Sequence, residues 1–106
     1  MVTFEEFKNI EIKTAKILEA LDHPNANKLL LLKVEVGSEQ KQIVAGIKER
    51  YSKEELIGKN IVIINNLEPV LLRGEKSEGM LLAAQDENTL SLIVPEKEVK
   101  SGSTVK

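Results

Sequence analysis

The sequence contains no cysteine, no tryptophan, one tyrosine and two phenylalanines. Each shortage removes a class of function. Without cysteine there is no disulfide, no thiolate metal site and no cysteine nucleophile. The single histidine, His23, has no second histidine or cysteine nearby, so a metal centre is not expected, and no cofactor motif appears. Three aromatic rings are too few for a protein that stacks successive unpaired bases on aromatic platforms. No apolar run approaches the roughly 20 residues needed to cross a bilayer. The acidic opening MVTFEEFKNI has no signal-peptide core. These absences lead to the expectation of a cytoplasmic protein with no membrane partner.

What is present is ordinary globular material: 42% apolar and 30% charged residues in a 106-residue chain. That is enough for one core, so a single domain over residues 1–106 is expected. The net charge is −2, and it is unevenly spread. Residues 8–59 carry ten Lys or Arg against eight acids, while both ends are acidic. The middle of the chain is therefore mildly basic, an asymmetry too small to identify a partner by itself.

The most informative stretch is Asn60 to Ala84. Ile61 to Ile64 is a β-branched apolar run that reads as a strand, and apolar residues return from Met80 to Ala84. Between them lies a polar loop over residues 65–78 containing Asn, Arg, Lys, Ser and Glu. A loop of this length is uncommon in a compact domain unless it is used. Its acids, Glu68, Glu75 and Glu78, have no paired base, nucleophile or metal set, so an enzyme is not expected.

The remaining segments are short and β-like. Phe4 and Phe7 share one face of an N-terminal turn over residues 1–9, as a lid on the core or on a partner chain. Ile10 to Ala20 reads as a first strand. Its apolar parity changes from even (Ile10, Ile12) to odd (Ala15, Ile17), which predicts a bulge near Lys13–Thr14. Asp22 to Asn27 is a turn capped by its Asp, Asn and His side chains. In the next strand Leu30, Leu32, Val34 and Val36 face inward, and Lys33 projects outward. Gly37-Ser38-Glu39 then turns the chain into Gln40–Ala45. Ser52-Lys53-Glu54-Glu55 fits a capping box, with Leu56 and Ile57 packing inward and Gly58 ending the turn. A fourth strand follows over Asn60–Asn65, a fifth over Gly79–Ala84 and a last one over Leu90–Val94.

Five strands, one helix between the third and fourth, and a bent first strand describe an all-β, five-stranded Greek-key OB-fold barrel with a C-terminal β extension. The barrel is expected over residues 10–84 and the extension over 85–106. The binding face of such a barrel comprises strands two and three with the loops Asp22–Lys28 and Asn65–Glu78. The interior is too small for a ligand, so function belongs on the outer surface.

Several blocks then carry a resemblance in order and at matching spacing. They are His23-Pro24-Asn25-Ala26-Asn27-Lys28-Leu29-Leu30, Lys33-Val34-Glu35-Val36-Gly37, Gln42-Ile43-Val44-Ala45-Gly46-Ile47, Asn66-Leu67-Glu68-Pro69, and Leu72-Arg73-Gly74 through Ser77-Glu78-Gly79-Met80-Leu81-Leu82-Ala83. Over residues 10–106 the chain resembles the tRNA-binding domain family. That family includes the C-terminal domain of methionyl-tRNA synthetase, free-standing structure-specific tRNA binders and a chaperone-like branch. The resemblance implies an OB fold with a C-terminal extension that builds a homodimer. It also implies a non-catalytic tRNA binder, either free-standing or a separately encoded accessory (beta) subunit working with a methionyl-tRNA synthetase catalytic subunit. The rival expectation is a chaperone-like dimer that binds peptides or unfolded protein.

With few aromatic residues, tRNA would be recognised by shape, through phosphates and 2′-hydroxyls. On that basis Lys33, Arg73 and Lys76 are assigned to phosphates. Asn65, Asn66 and Ser77 are assigned to sugars or base edges. Met80 would pack an unstacked base; its pattern alone reads as core, and the resemblance places it in the site. Leu90, Leu92 and Val94 alternate with Ser91 and Ile93, leaving apolar side chains on both faces of the last strand. A symmetric interface with Phe4 and Phe7 would cover them.

Overall fold

The computed structural model describes residues 1–106. Short α1, Phe4–Lys8, opens on a capping box in which Thr3 and Glu6 satisfy each other's backbone amides. Strand β1 runs from Ile12 to Asp22, β2 from Leu30 to Val36 and β3 from Glu39 to Ala45. Single-turn α2, Lys53–Leu56, precedes β4, Asn60–Ile64. Five short strands complete the chain: β5 Val70–Leu72, β6 Glu75–Ser77, β7 Met80–Leu81, β8 Ala83–Gln85 and β9 Leu90–Leu92. A final pair of residues, β10, Thr104–Val105, returns to β1. No helix is long and apolar enough to cross a membrane.

The main sheet has the order β3-β2-β1-β4-β7, curled into an OB-like barrel. Strand β1 serves both halves. Its first part, Ile12–Lys16, pairs with β4, and Lys16–Asp22 pairs with β2. The bend between the halves is a register break between Ile17 and Glu19. Leu18 drops out of the register there, while Ile17 stays opposite Val34, donates to the Lys59 carbonyl (2.9 Å) and accepts from the Gly58 amide (2.8 Å). The inward set accordingly shifts from Ala15 and Ile17 to Ala20. The bulge expected near Lys13–Thr14 thus lies four residues later. The expectation counted Ile10 as a strand residue, whereas Ile10 is 42% exposed and precedes the strand.

Leu30, Leu32, Val34 and Val36 all point into the core, with Ile43, Ile61 and Ile63 from the neighbouring strands. Leu56 of α2 joins the same core and is fully buried. Its capping box forms as expected, with the Ser52 amide 2.7 Å from Glu55 and the Glu55 amide 3.2 Å from the Ser52 hydroxyl. Ile57, expected to pack inward beside Leu56, is instead 50% exposed, because the backbone at Ile57 is extended and ends the helix.

Two further expectations are corrected. The stretch 65–78 is no featureless loop. It contains the two-stranded hairpin β5–β6, whose turn is Arg73-Gly74. The strand expected over Gly79–Ala84 is broken at Leu82. Its first part pairs with β4, and its second forms a separate hairpin with β9. Leu82 instead donates to the Val62 carbonyl and accepts from the Ile93 amide, which links β4 to the segment after β9.

The C-terminal turn at 100–103 is tied to β1 through Thr14, which is buried. The Thr14 hydroxyl donates to the Lys100 carbonyl (2.8 Å) and accepts from the Ser103 amide (3.0 Å). Gly102 lies so close to the β2–β3 turn that a Cβ there would sit 2.7 Å from the Gly37 nitrogen. With φ of +82° as well, this position admits only glycine comfortably.

Candidate nucleic-acid interface

Strands β2 and β3 present one face to the outside. At its centre is Lys33, in register with Glu19 of β1 and Gln42 of β3. Lys33 shares a hollow of about 140 Å³ with Gln40, Lys41, Gln42 and Glu78. One wall of this face is the loop after β1, and the other is the β5–β6 hairpin.

The two walls are joined. His23 is 5% exposed, and its Nδ1 accepts from the Asn25 amide at 2.9 Å. That fixes the tautomer, so Nε2 carries the hydrogen and donates to the Leu72 carbonyl at 2.8 Å. Asn25 and Arg73 then exchange two bonds. The Asn25 amide group reaches the Arg73 carbonyl and the Arg73 guanidinium reaches the Asn25 carbonyl, both at 3.2 Å. The loop-capping role expected of His23 therefore extends further, because the cap holds the hairpin as well.

The hairpin is also stitched to β3, and this seam closes the barrel. Glu78 donates its amide to the Gln42 carbonyl (2.8 Å) and accepts the Gln42 amide on its carboxylate (3.2 Å). The Gln42 side chain reaches the Glu75 carboxylate (3.3 Å) and the Lys76 carbonyl (2.9 Å). The Ser77 hydroxyl accepts from the Val44 amide and donates to the Gly79 carbonyl, each at 3.0 Å. Two of the loop's acids, Glu75 and Glu78, thereby accept from Gln42, and Glu78 also lines the hollow beside Lys33.

The seven residues chosen from sequence separate into two groups. Lys33, Arg73 and Lys76 are exposed. The chain's two ion pairs both fall on Asp22, from Lys48 (3.1 Å) and Lys53 (2.9 Å), so those three cations are unpaired. Met80 is 47% exposed, so its side chain is available at the surface. The other three are committed within the fold. Ser77 is 3% exposed with both hydrogen-bonding capacities used. Asn66 accepts from the Glu11 amide (2.8 Å) and donates to the Asn9 carbonyl (2.7 Å). Asn65 donates to the Glu11 carboxylate (2.7 Å), while its side-chain oxygen is buried without a partner. These groups anchor the α1–β1 link and the barrel seam, and sequence spacing across more than thirty positions carries no sign of that.

Two further contributors lie outside those seven: Gln42, which the sequence does not single out, and Lys41, which strand topology places with Lys33 on this surface. Gln42 organises the seam, and Lys41 donates to the Asn65 carbonyl at 2.8 Å. The alternation of β3 was a usable signal for Lys41, but nothing local distinguishes Gln42. At the edge of the face, hydrogen bonds from Lys53 and then Lys48 hold the Asp22 carboxyl below its ordinary range.

Residues 12–104 match the family described as "Putative tRNA binding domain". The chain belongs to the tRNA-binding domain family. This tRNA-binding domain is 50% identical over 105 residues to the methionine–tRNA ligase of Pyrococcus furiosus, a match covering 99% of the chain and 14% of the ligase. It thus spans about one seventh of the length of the curated relatives it matches. Among solved structures it is similar to a "MetRS related protein" from Pyrococcus horikoshii, with a TM-score of 0.92 and 33% identity, covering 100% of this chain and 98% of the other. It is also similar to the "chaperone CsaA" of Bacillus anthracis, with a TM-score of 0.90 and 30% identity, covering 100% and 99%.

Proposed function

We propose that this domain is a non-catalytic module that binds the body of tRNA by shape, with little sequence preference. The observation that carries the reading is the braced face with three unpaired cations, Lys33, Arg73 and Lys76, in a chain of the tRNA-binding domain family. Cations on a rigid frame suit phosphates, whose spacing in folded RNA is set by the RNA itself. Met80 supplies an apolar contact for a base. The amides of Asn65 and Asn66 and the hydroxyl of Ser77 act indirectly, by holding the frame.

The similarity to methionine–tRNA ligases supports a role as an accessory to a methionyl-tRNA synthetase in the cytoplasm. There the domain raises the local concentration of tRNA and leaves the chemistry to the synthetase. We also propose a homodimer. Phe4 is 71% exposed and Ile93 and Val94 are exposed, while Leu92 faces the core, so the remaining apolar surface needs a cover. Light scattering at micromolar concentration is expected to give twice the chain mass, and a monomer would remove the dimer.

Binding of unfractionated tRNA, followed across a salt series, tests the main reading. The logarithm of affinity should fall with the logarithm of salt concentration with a slope of roughly two to three for three phosphate contacts. Arg73→Ala should reduce that slope by about one and weaken different tRNAs about equally. No complex at low salt would reject the proposal. A second reading, a chaperone-like binder of unfolded protein, is favoured by the likeness to the Bacillus anthracis chaperone. It requires suppression of client aggregation that neither salt nor Arg73→Ala alters.

A further inference from the structure

Leu71 is 69% exposed on the β5–β6 hairpin, an element with little freedom to hide it. In the hairpin register Leu71 lies opposite Lys76, and the neighbouring pairs are Val70 with Ser77 and Leu72 with Glu75. Ser77 is buried against β3, so its face of the hairpin points to the barrel and the Leu71–Lys76 face points away. The next residue toward the tip is pinned, because the Leu72 carbonyl accepts from His23. The tip itself is clamped by the exchange between Arg73 and Asn25. An apolar side chain that cannot turn inward, with a lysine directly opposite whose Cβ lies about 5 Å across the strand pair, forms a composite surface. A nucleotide presents the complementary pair, an apolar base face beside an anionic phosphate.

We propose that Leu71 is a platform on which one unpaired base of the RNA packs, with Lys76 and Arg73 holding the flanking phosphates. The proposal rests on the tRNA-binding reading above and adds a residue that discriminates unpaired from paired RNA. No aromatic ring supplies such a platform on this hairpin. The three aromatic residues are Phe4 and Phe7 in α1 and Tyr51, whose hydroxyl accepts from the Leu92 amide, so none lies on this hairpin.

The absence of tryptophan makes a direct test available, since Leu71→Trp would be the protein's sole indole. Its emission should be quenched on adding a tRNA transcript and unchanged on adding a fully paired RNA duplex, which offers no free base. Leu71→Ala should weaken tRNA binding roughly 5-fold at every salt concentration without altering the salt slope, because base packing releases no counterions. Lys76→Ala should instead lower the slope by about one. Leu71 is exposed, so both substitutions at this position should leave the melting temperature within about 2 °C of the parent. Unchanged emission while anisotropy reports tRNA binding would overturn the platform and leave the tRNA reading intact. Wild-type protein that binds no tRNA at low salt would overturn both. Quenching by an unfolded client but not by tRNA, or a change in oligomeric mass on Leu71→Ala, would assign the surface to protein contact and also overturn the proposal.

Discussion

Arg73 occupies a backbone conformation that side-chain-bearing residues avoid, with φ of +55°, and Gly74 follows at +91°. A two-residue hairpin turn with both centres left-handed matches the twist of its strands, which favours Asn-Gly at these positions. Arginine there costs roughly 1 kcal/mol relative to a residue that tolerates this region. The strain is offset by the bond from its guanidinium to the Asn25 carbonyl and is consistent with a role for the charge. Arg73→Asn separates the two effects. The substitution should keep or slightly raise the melting temperature, because asparagine tolerates the turn, while weakening tRNA binding. A variant that melts markedly lower would contradict this account of the turn.

At the scale of elements, the barrel closes by an unusual seam. Strand β3 meets the β6–β7 segment through one backbone bond to Gln42 and through side chains that stand in for a ladder, chiefly Ser77 and Glu78. Ser77→Ala would leave the Val44 amide buried and unpaired, at a cost of about 1–3 kcal/mol. A loss of several degrees in melting temperature is expected, with the hairpin loosened and Lys76 less well positioned. Unaltered stability would mean that another group satisfies Val44. The strands themselves were largely legible in the sequence. Alternating Leu30, Leu32, Val34 and Val36 read directly as an inner face, and the Ser52–Glu55 spacing read directly as a helix start. The β5–β6 hairpin was not legible. Its strands are three residues each, and the turn has arginine where the common signal is asparagine.

For the whole molecule, acid sensitivity follows from three carboxyls held below their ordinary range. Asp22 is held by Lys53 and then Lys48, Glu55 by the amide and then the hydroxyl of Ser52, and Asp86 by the amides of Asn88 and Thr89. Each favours the folded state while ionised. Their contribution is therefore complete above the unfolded carboxyl values and is lost as pH falls through the lower folded ones. Melting temperature should be level near neutrality and fall below about pH 4. Asp22→Asn should flatten part of that fall, most visibly at low salt because these groups are exposed. A melting temperature that rises on acidification would contradict the assignment.

Composition and periodicity alone determined the class of this protein. Absent cysteine and scarce rings excluded whole chemistries, and period-two apolar runs specified strands because side-chain alternation is a local property. The exposed candidates Lys33, Arg73, Lys76 and Met80 also came from local pattern and resemblance. Only the tertiary structure decided which polar groups remain free. Asn65, Asn66 and Ser77 are consumed by partners more than thirty positions away, and Gln42 and His23 gain their roles from the same long-range register. A hydrogen bond needs two atoms within about 3 Å, and for distant residues that proximity exists only once the barrel has closed.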